Sequence, residues 1–232
     1  MFNDRNVVVV VPARGGSKGI HKKNIVPLKG KPLIEYTLDI ALKSSYVDEV
    51  IVSTDDLEIE AISKNNSVKV VKRPEALSTD NSLTIDAIKH VVEQTDLMND
   101  RTILIVLQVT SPLRMLRHIE DSLKLFTSEY TSVIGVCEAE HTPYKMYKIF
   151  DNKLIDFISE DWRDAPRQTI PKVYRENGSI YVTDVHQILN HNSLRGNRPR
   201  PYIMGHSYSI DIDTKLDLKF AELMLEIEVM EI

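Results

Sequence analysis

Val7-Val8-Val9-Val10-Val11-Pro12-Ala13-Arg14-Gly15-Gly16-Ser17-Lys18-Gly19 is the stretch on which the reading of this chain turns. Five consecutive valines make an unbroken apolar run, the pattern of a strand buried on both faces. The run leads straight into a loop with three glycines, an arginine and a lysine. Glycine lets backbone N–H groups converge with no Cβ in the way, which makes a concave nest for an anion. Arg14 and Lys18 add full positive charges to that nest. The spacing is neither G-x-x-x-x-G-K-[ST] nor G-x-G-x-x-G, so a P-loop and a dinucleotide site are both unsupported. A Gly-Gly pair alone would read as a solvated turn. Two cations in the same turn, directly after a buried strand, point instead to a phosphate-rich guest.

The bulk numbers bound what surrounds this loop. A chain of 232 residues suffices for one sizeable α/β domain. Its 42% hydrophobic and 27% charged residues are ordinary for a globular protein. The net charge of -5 argues against general nucleic-acid binding, which needs a basic surface. The anion site is therefore expected to be a local basic pocket on an acidic body. The lone cysteine, Cys137, excludes an intramolecular disulfide and reads as a small core residue. No run approaches the ~20 apolar residues needed to span a bilayer. A cytoplasmic location, with neither membrane nor nucleic acid as partner, is the expectation.

Strand and helix patterns alternate through the first half. Val7–Val11, Glu49–Ser53, Val68–Val71, Thr102–Leu107 and Ser132–Cys137 read as strands. Leu33 to Leu42, Leu57–Lys64, Ile85 to Val92 (capped by Ser82 or Thr84) and His118–Phe126 read as helices. The alternation predicts a three-layer α/β/α architecture, a mostly parallel sheet with helices on both faces. The pattern then changes. Lys145–Phe150 and Lys153–Ile158 read as a hairpin around Asp151-Asn152, an antiparallel insertion suited to dimerisation. Segments 161–176 and 194–201 read as loops, Ile180–Thr183 as a strand, and Leu216 to Ile227 as a closing helix. The organisation expected is one domain over 1–232, with the insertion at about 141–175.

In such sheets ligands bind beyond the carboxyl ends of the strands. The polar clusters fall there: the loop at 14–24, Thr54 to Asp56, Lys72 and Arg73, and Gln108 to Arg114. Asp211-Ile212-Asp213 adds an acidic pair. Residues two apart in an extended segment face the same side, so both carboxylates can grip one hard cation. Magnesium suits them, because it takes one or two carboxylates plus phosphate oxygens. A D-x-D pair alone would read as helix-start acids, with Asp213 or Thr214 as a cap; beside a phosphate nest the metal reading leads, and Asp213 can serve both roles. Lys145, Arg167 and Arg175 are candidates to hold a carboxylate. The seven histidines show no metal-ligand spacing, and none is assigned a role.

The motifs together resemble a known family. They are PARGGSKGI-x-x-KN at 12–24, RP-x-x-L-S-x-D at 73–80, LQ-x-TSPLR at 107–114, NG-x-IY at 177–181 and S-x-DID at 209–213. Their types and order are similar to the cytidylyltransferases that activate acidic nine-carbon sugars, the CMP-N-acylneuraminate synthetase group with its legionaminate-activating relatives. The resemblance implies a Rossmann-like nucleotidyltransferase sheet, a homodimer and Mg2+ as cofactor. It implies a reaction of CTP with a nonulosonic acid to give the CMP-sugar and pyrophosphate. By the same resemblance, Arg14, Lys18, Lys23, Asp211 and Asp213 are the catalytic residues. Ala13, Arg14, Gly15, Gly16, Ser17, Lys18, Asn24, Arg73, Asp80 and Thr84 hold the nucleotide, with Asp80 near the base or ribose. Gln108, Lys145, Arg167, Asn177 and Tyr181 meet the sugar, Lys145 and Arg167 across a dimer interface. Asp211 and Asp213 ligate the metal. Val109 and His21 stand where proline is common in the family, which leaves the acceptor open between N-acetylneuraminate and legionaminate types. Activation of Kdo or pseudaminate, or a non-catalytic nucleotide-binding homologue, are the alternatives.

Overall fold

A computed structural model describes residues 1–95, 97, 102–162 and 164–230, with side chains at 160, 167 and 228–230 outside the description. The strands are β1 (Asn6–Pro12), β2 (Pro27–Leu28), β3 (Lys31–Pro32), β4 (Glu49–Thr54), β5 (Lys69–Lys72), β6 (Thr102–Leu107), β7 (Ser132–Glu138), β8 (Tyr147–Phe150), β9 (Lys153–Asp156), β10 (Tyr174–Asp184) and β11 (Pro199–Ile203). The helices are α1 (Leu33–Lys43), α2 (Leu57–Asn65), α3 (Thr84–Glu93), α4 (Leu116–Lys124), α5 (Val185–His191) and α6 (Lys215–Met230).

The valine run forms β1, near the centre of a sheet ordered β11-β7-β10-β6-β1-β4-β5. Its alternation divides the core into two layers. Val7, Val9 and Val11 pack with α1 (Leu33, Ile34, Leu38) and α4 (Ile119, Leu123). Val8 and Val10 face α3 (Ile85, Ile88, Val91) and α5 (Val185, Ile188). All five valines are essentially buried, and each fully buried valine contributes about 1.5–3 kcal/mol. β1 pairs in parallel with β4 and β6, so the loops after these strands open at one edge of the sheet.

The C-terminal half departs from the expectation in three places. β10, which contains the expected strand Ile180–Thr183, runs antiparallel between β6 and β7 within the main sheet, and it begins at Tyr174 inside the segment read as loop. Its register shifts between Glu176 and Tyr181, so the Asn177-Gly178 stretch is a bulge. The proline-broken 194–201 segment, read as a loop, ends in β11, which pairs in parallel with β7. β11 is an edge strand, where a missing N–H is tolerated. The predicted hairpin is present as β8 and β9, antiparallel to each other.

The helix starts differ from the sequence reading at α3 and agree with it at α6. Neither Ser82 nor Thr84 caps α3; Leu83 stands at the N-cap with no side-chain bond. Ser82 Oγ instead accepts from the Thr79 N–H at 3.0 Å. At α6, Asp217 takes the Asp213 and Thr214 N–H groups at 3.1 and 2.7 Å. Thr214 Oγ1 in turn accepts from the Asp217 N–H at 3.3 Å, so Thr214, one of the two caps the sequence offers, caps α6, and the Asp213 carboxylate is left to the site. Among the described residues no helix is long and apolar enough to cross a membrane.

Candidate active site

The glycine loop and the acidic pair are 190 residues apart in the chain and meet in space. Lys23 Nζ donates to Asp213 Oδ1 at 2.7 Å. A Cβ on Gly19 would lie 2.1 Å from the Asp213 carbonyl oxygen, so only glycine permits this approach. The acidic segment is tied on its other side as well, where the Ile212 N–H donates to Thr110 O at 2.8 Å. A cleft of about 270 Å³ results. It is lined by Arg14, Gly16, Ser17, Lys23, Asn24, Arg73, Thr84, Gln108, Asp211 and Asp213, all expected from the sequence. Leu77, Ser82, Leu83 and Thr110 join them. The apolar pair carries no chemical signal in a sequence; Thr110 lies in a quoted motif but was given no role.

Each cation of the cleft already has an anionic or polar partner. Arg14 donates to the Thr79 carbonyl and, at 3.0 Å, to Asp80 Oδ1. Lys18, which is not among the cleft's lining residues, pairs with Asp80 Oδ2 at 3.3 Å and is 74% exposed. The Gly15 N–H donates to Asp55 Oδ1 at 2.9 Å, so a carboxylate sits on the loop's own amide. Asn24 Nδ2 braces the loop through the Arg14 carbonyl at 2.8 Å. Arg73 is buried, with Nε on Ser53 Oγ at 3.0 Å and Nη2 on Ser53 O at 2.8 Å. Burial pushes its pKa down to about 10, which leaves it a cation near neutrality.

Asp211 is the strained acid of the set. Burial pushes its pKa up, and the Asp213 charge adds to the rise; a hydrogen bond from Thr110 and the charges of Lys23 and Arg175 oppose it. Its Oδ1 is buried and has no hydrogen-bond partner among the described residues. An unsatisfied buried acceptor costs roughly 1–3 kcal/mol. A carboxylate held this way, beside a second one, suits a cation that brings its own charge.

Other expected residues fall elsewhere. Ala13 is buried and its N–H donates to Ser53 O at 2.9 Å, which closes the sheet end. Asp80, expected near a base or ribose, pairs with Arg14 and Lys18. Asn177, expected to meet a sugar, is buried as a clamp: Nδ2 donates to Ser209 Oγ at 2.9 Å and Oδ1 accepts from the Ser179 N–H at 3.1 Å. Tyr181 is buried in the α3–α5 layer, donates to Glu176 Oε2 at 3.2 Å, and is pushed up to about 12 by burial. Neither side chain lines the cleft. Lys145 donates to Ala165 O at 2.9 Å beside the hairpin, also outside the cleft lining. The Arg167 side chain lies outside the described residues. His21 is exposed and lines no part of the cleft.

A second cavity of about 510 Å³ adjoins the cleft through Asp211. Arg175 and Glu140 face each other there, with Arg175 Nη2 on Oε1 at 2.9 Å and Nε on Oε2 at 3.1 Å. Arg175 holds the Glu140 carboxyl down at about 2, well below the usual range. Phe220 and Met224 give the cavity an apolar floor.

A mostly parallel sheet, with a cationic glycine loop and an aspartate pair at one edge, defines a nucleotidyltransferase-like class of protein. The chain belongs to the cytidylyltransferase family, whose profile matches residues 8–231. It is 31% identical over 217 residues to an N-acylneuraminate cytidylyltransferase of Escherichia coli O18:K1:H7, covering 93% of this chain and 51% of that protein. The chain thus spans about half the length of that relative. It is 32% identical over 228 residues to the CMP-N,N'-diacetyllegionaminic acid synthase of Legionella pneumophila, covering 95% of this chain and 97% of that one. The fold matches a CMP-2-keto-3-deoxy-manno-octonic acid synthetase solved with CTP, at a TM-score of 0.73 and 19% identity, over 96% of this chain and 99% of that one.

Proposed function

We propose that this chain is a CTP-dependent cytidylyltransferase that activates a nine-carbon acidic sugar of the N-acylneuraminate or legionaminate type. The observation that carries the reading is the Lys23–Asp213 contact, which closes the glycine loop and the aspartate pair around one cleft. In the reaction the sugar's anomeric oxygen bonds to the α-phosphorus of CTP. The bond from that phosphorus to the β-phosphate oxygen breaks, and pyrophosphate leaves; the hydroxyl proton passes to solvent. Such transfer needs alignment and charge neutralisation more than covalent chemistry. Arg14 and Lys18 cradle the leaving phosphates with the loop amides of Gly16 and Ser17. Lys23 Nζ neutralises charge near the α-phosphate. Gln108 meets the acceptor from the far wall.

Asp211 and Asp213 hold a magnesium ion in this reading. The orphaned, buried Oδ1 of Asp211 fits the assignment, because a hard cation satisfies it where no protein donor does. When bound, Mg2+ polarises phosphate oxygens and steadies the departing pyrophosphate. We take the 232 residues to act as one domain and to work as a cytoplasmic homodimer. The β8–β9 hairpin supports the dimer: Ile149, Phe150 and Leu154 are each at least two-thirds exposed, an apolar patch that calls for a partner.

The experiment is pyrophosphate release from each nucleoside triphosphate with a panel of acids. The panel holds N-acetylneuraminate, N,N'-diacetyllegionaminate, pseudaminate and Kdo. Release with CTP and one of the first two acids is expected. CTP binding with no release from any acid would establish a non-catalytic homologue, and release with Kdo or pseudaminate alone would reassign the acceptor.

A further inference from the structure

The sequence gives no histidine a metal-ligand spacing, and Cys137 reads as core. The fold changes both. Cys137 is the penultimate residue of β7, Glu140 lies three residues on, just past the strand's end, and His206 opens the 3-10 turn His206–Tyr208, far away in the chain. Their Sγ, carboxylate and imidazole donor atoms all lie within 4.8 Å of one another. His206 Nδ1 and Glu140 Oε1 are already 3.2 Å apart. Ligands bound tetrahedrally to one zinc stand roughly 3.5 Å from each other. Glu140 and His206 are exposed side chains that can rotate toward Cys137, whose buried thiol gives up its contact with Ser209 on binding. One thiolate, one imidazole and one carboxylate are a donor set for a borderline-soft divalent cation, not for magnesium.

We propose that Cys137, Glu140 and His206 form a three-ligand site for Zn2+ or a similar transition-metal ion, separate from the aspartate pair. The fourth position opens toward the cavity lined by Glu140 and His206, where water or an anion completes a tetrahedron. Binding exchanges the thiol proton of Cys137 for the metal, and the proton leaves to solvent. The competitor is Arg175, whose guanidinium occupies both oxygens of Glu140. An exposed ion pair of this kind is weak, far below what a thiolate–imidazole–carboxylate set gains with zinc. Occupancy therefore turns Glu140 away from Arg175 and frees Arg175 within the cavity it shares with Asp211. It also ties the His206 turn to β7, three residues before Ser209 and the acidic segment. A transition metal here thus acts on the cleft from behind.

The test uses Co2+ as a spectroscopic stand-in, added to the full chain with saturating Mg2+ to occupy the aspartates. The chain has a single cysteine, so a thiolate-to-cobalt charge-transfer band reports Cys137 alone. One equivalent of Co2+ should produce the band, and one equivalent of Zn2+ should bleach it. Cys137→Ser should abolish it. Because that residue is buried, His206→Gln and Glu140→Gln serve as the second arm: each should weaken Co2+ binding at least about tenfold, as loss of a ligand does. Asp213→Asn should leave the band in place. No band in the wild type, or a band indifferent to both His206→Gln and Glu140→Gln, would overturn the site.

Discussion

Replacing His118 by glutamine should remove a step in the pH dependence of stability. The imidazole is buried near the start of α4 and accepts from the Met115 N–H through Nδ1 at 3.1 Å. It packs edge-on to Tyr208, with ring centroids 4.8 Å apart, and Arg117 lies over the same tyrosine. Burial first, then the charges of Arg117 and Arg114, push its pKa down from 6.5 to about 4. The folded state therefore resists the proton that the unfolded chain accepts. Stability is intact above the unfolded value and is lost as pH falls toward the folded one. At about 1.4 kcal/mol per unit, the full loss is about 3 kcal/mol. Between about pH 7 and pH 5 the loss is about 2 kcal/mol. For a domain of this size that is roughly 4–8 °C in Tm. Glutamine at this position reaches the same N–H, as in a capping box, and does not titrate. Thermal melts of both proteins across this range are the assay, and the difference between them isolates His118 from every carboxylate. Parallel Tm curves for wild type and His118→Gln would refute the burial argument.

Three further outcomes follow from the site. Asp213→Asn should leave the melt unchanged, since that side chain is 71% exposed, while pyrophosphate release falls about a hundredfold or more; wild-type turnover would remove Asp213 from the reaction. Gly178→Ala forces a side chain into φ +70°, with a Cβ 2.8 Å from Gln108 Oε1, and should cost about 1–3 kcal/mol; it should also raise the acceptor KM more than the CTP KM, read from initial rates. The proposed hairpin dimer predicts a light-scattering mass twice that of one chain, falling to one chain in Phe150→Glu at equal concentration; a monomeric wild type, or a mass unchanged by the substitution, would refute it.

Much of the fold is legible because the valine run alternates between two helical layers, a signal that is local and strong. The strand order is not: β6 follows β5 in the chain but lies on the far side of β1, a reversal that local periodicity does not encode. β11 is not legible: Pro199 and Pro201 read as breakers, and only its place at the sheet edge makes them tolerable. Asn177-Gly178 reads as a turn because the dipeptide favours one; inside β10 the same two residues form a bulge, and the asparagine amide is consumed by Ser209. The site was legible by residue type, in that a cationic loop and an aspartate pair imply each other. Its pairings were not, because Arg14 finds Asp80 and Lys23 finds Asp213 across 66 and 190 residues. Periodicity carries no information at that range.

Those pairings have a consequence for how a triphosphate enters. Asp80 lies on Arg14 and Lys18, Asp55 on the Gly15 amide, and Asp213 on Lys23. Each carboxylate stands where the proposed function puts a phosphate oxygen or its counter-ion, so the cationic loop is never left uncompensated. A polyanion arriving at such a site exchanges one set of anionic partners for another. The gain from each exchange is small, since exposed ion pairs contribute about 1 kcal/mol or less. Discrimination must then come from what a lone carboxylate cannot reproduce: several linked charges reaching Arg14, Lys18 and Lys23 together, and, under the proposed magnesium assignment, a divalent cation that would compete with Lys23 for Asp213. A monophosphate engages too few of these groups to displace the set, and a triphosphate with its metal engages them all. The affinity of the cleft should therefore climb steeply from CMP to CTP, and more steeply with Mg2+ than without it.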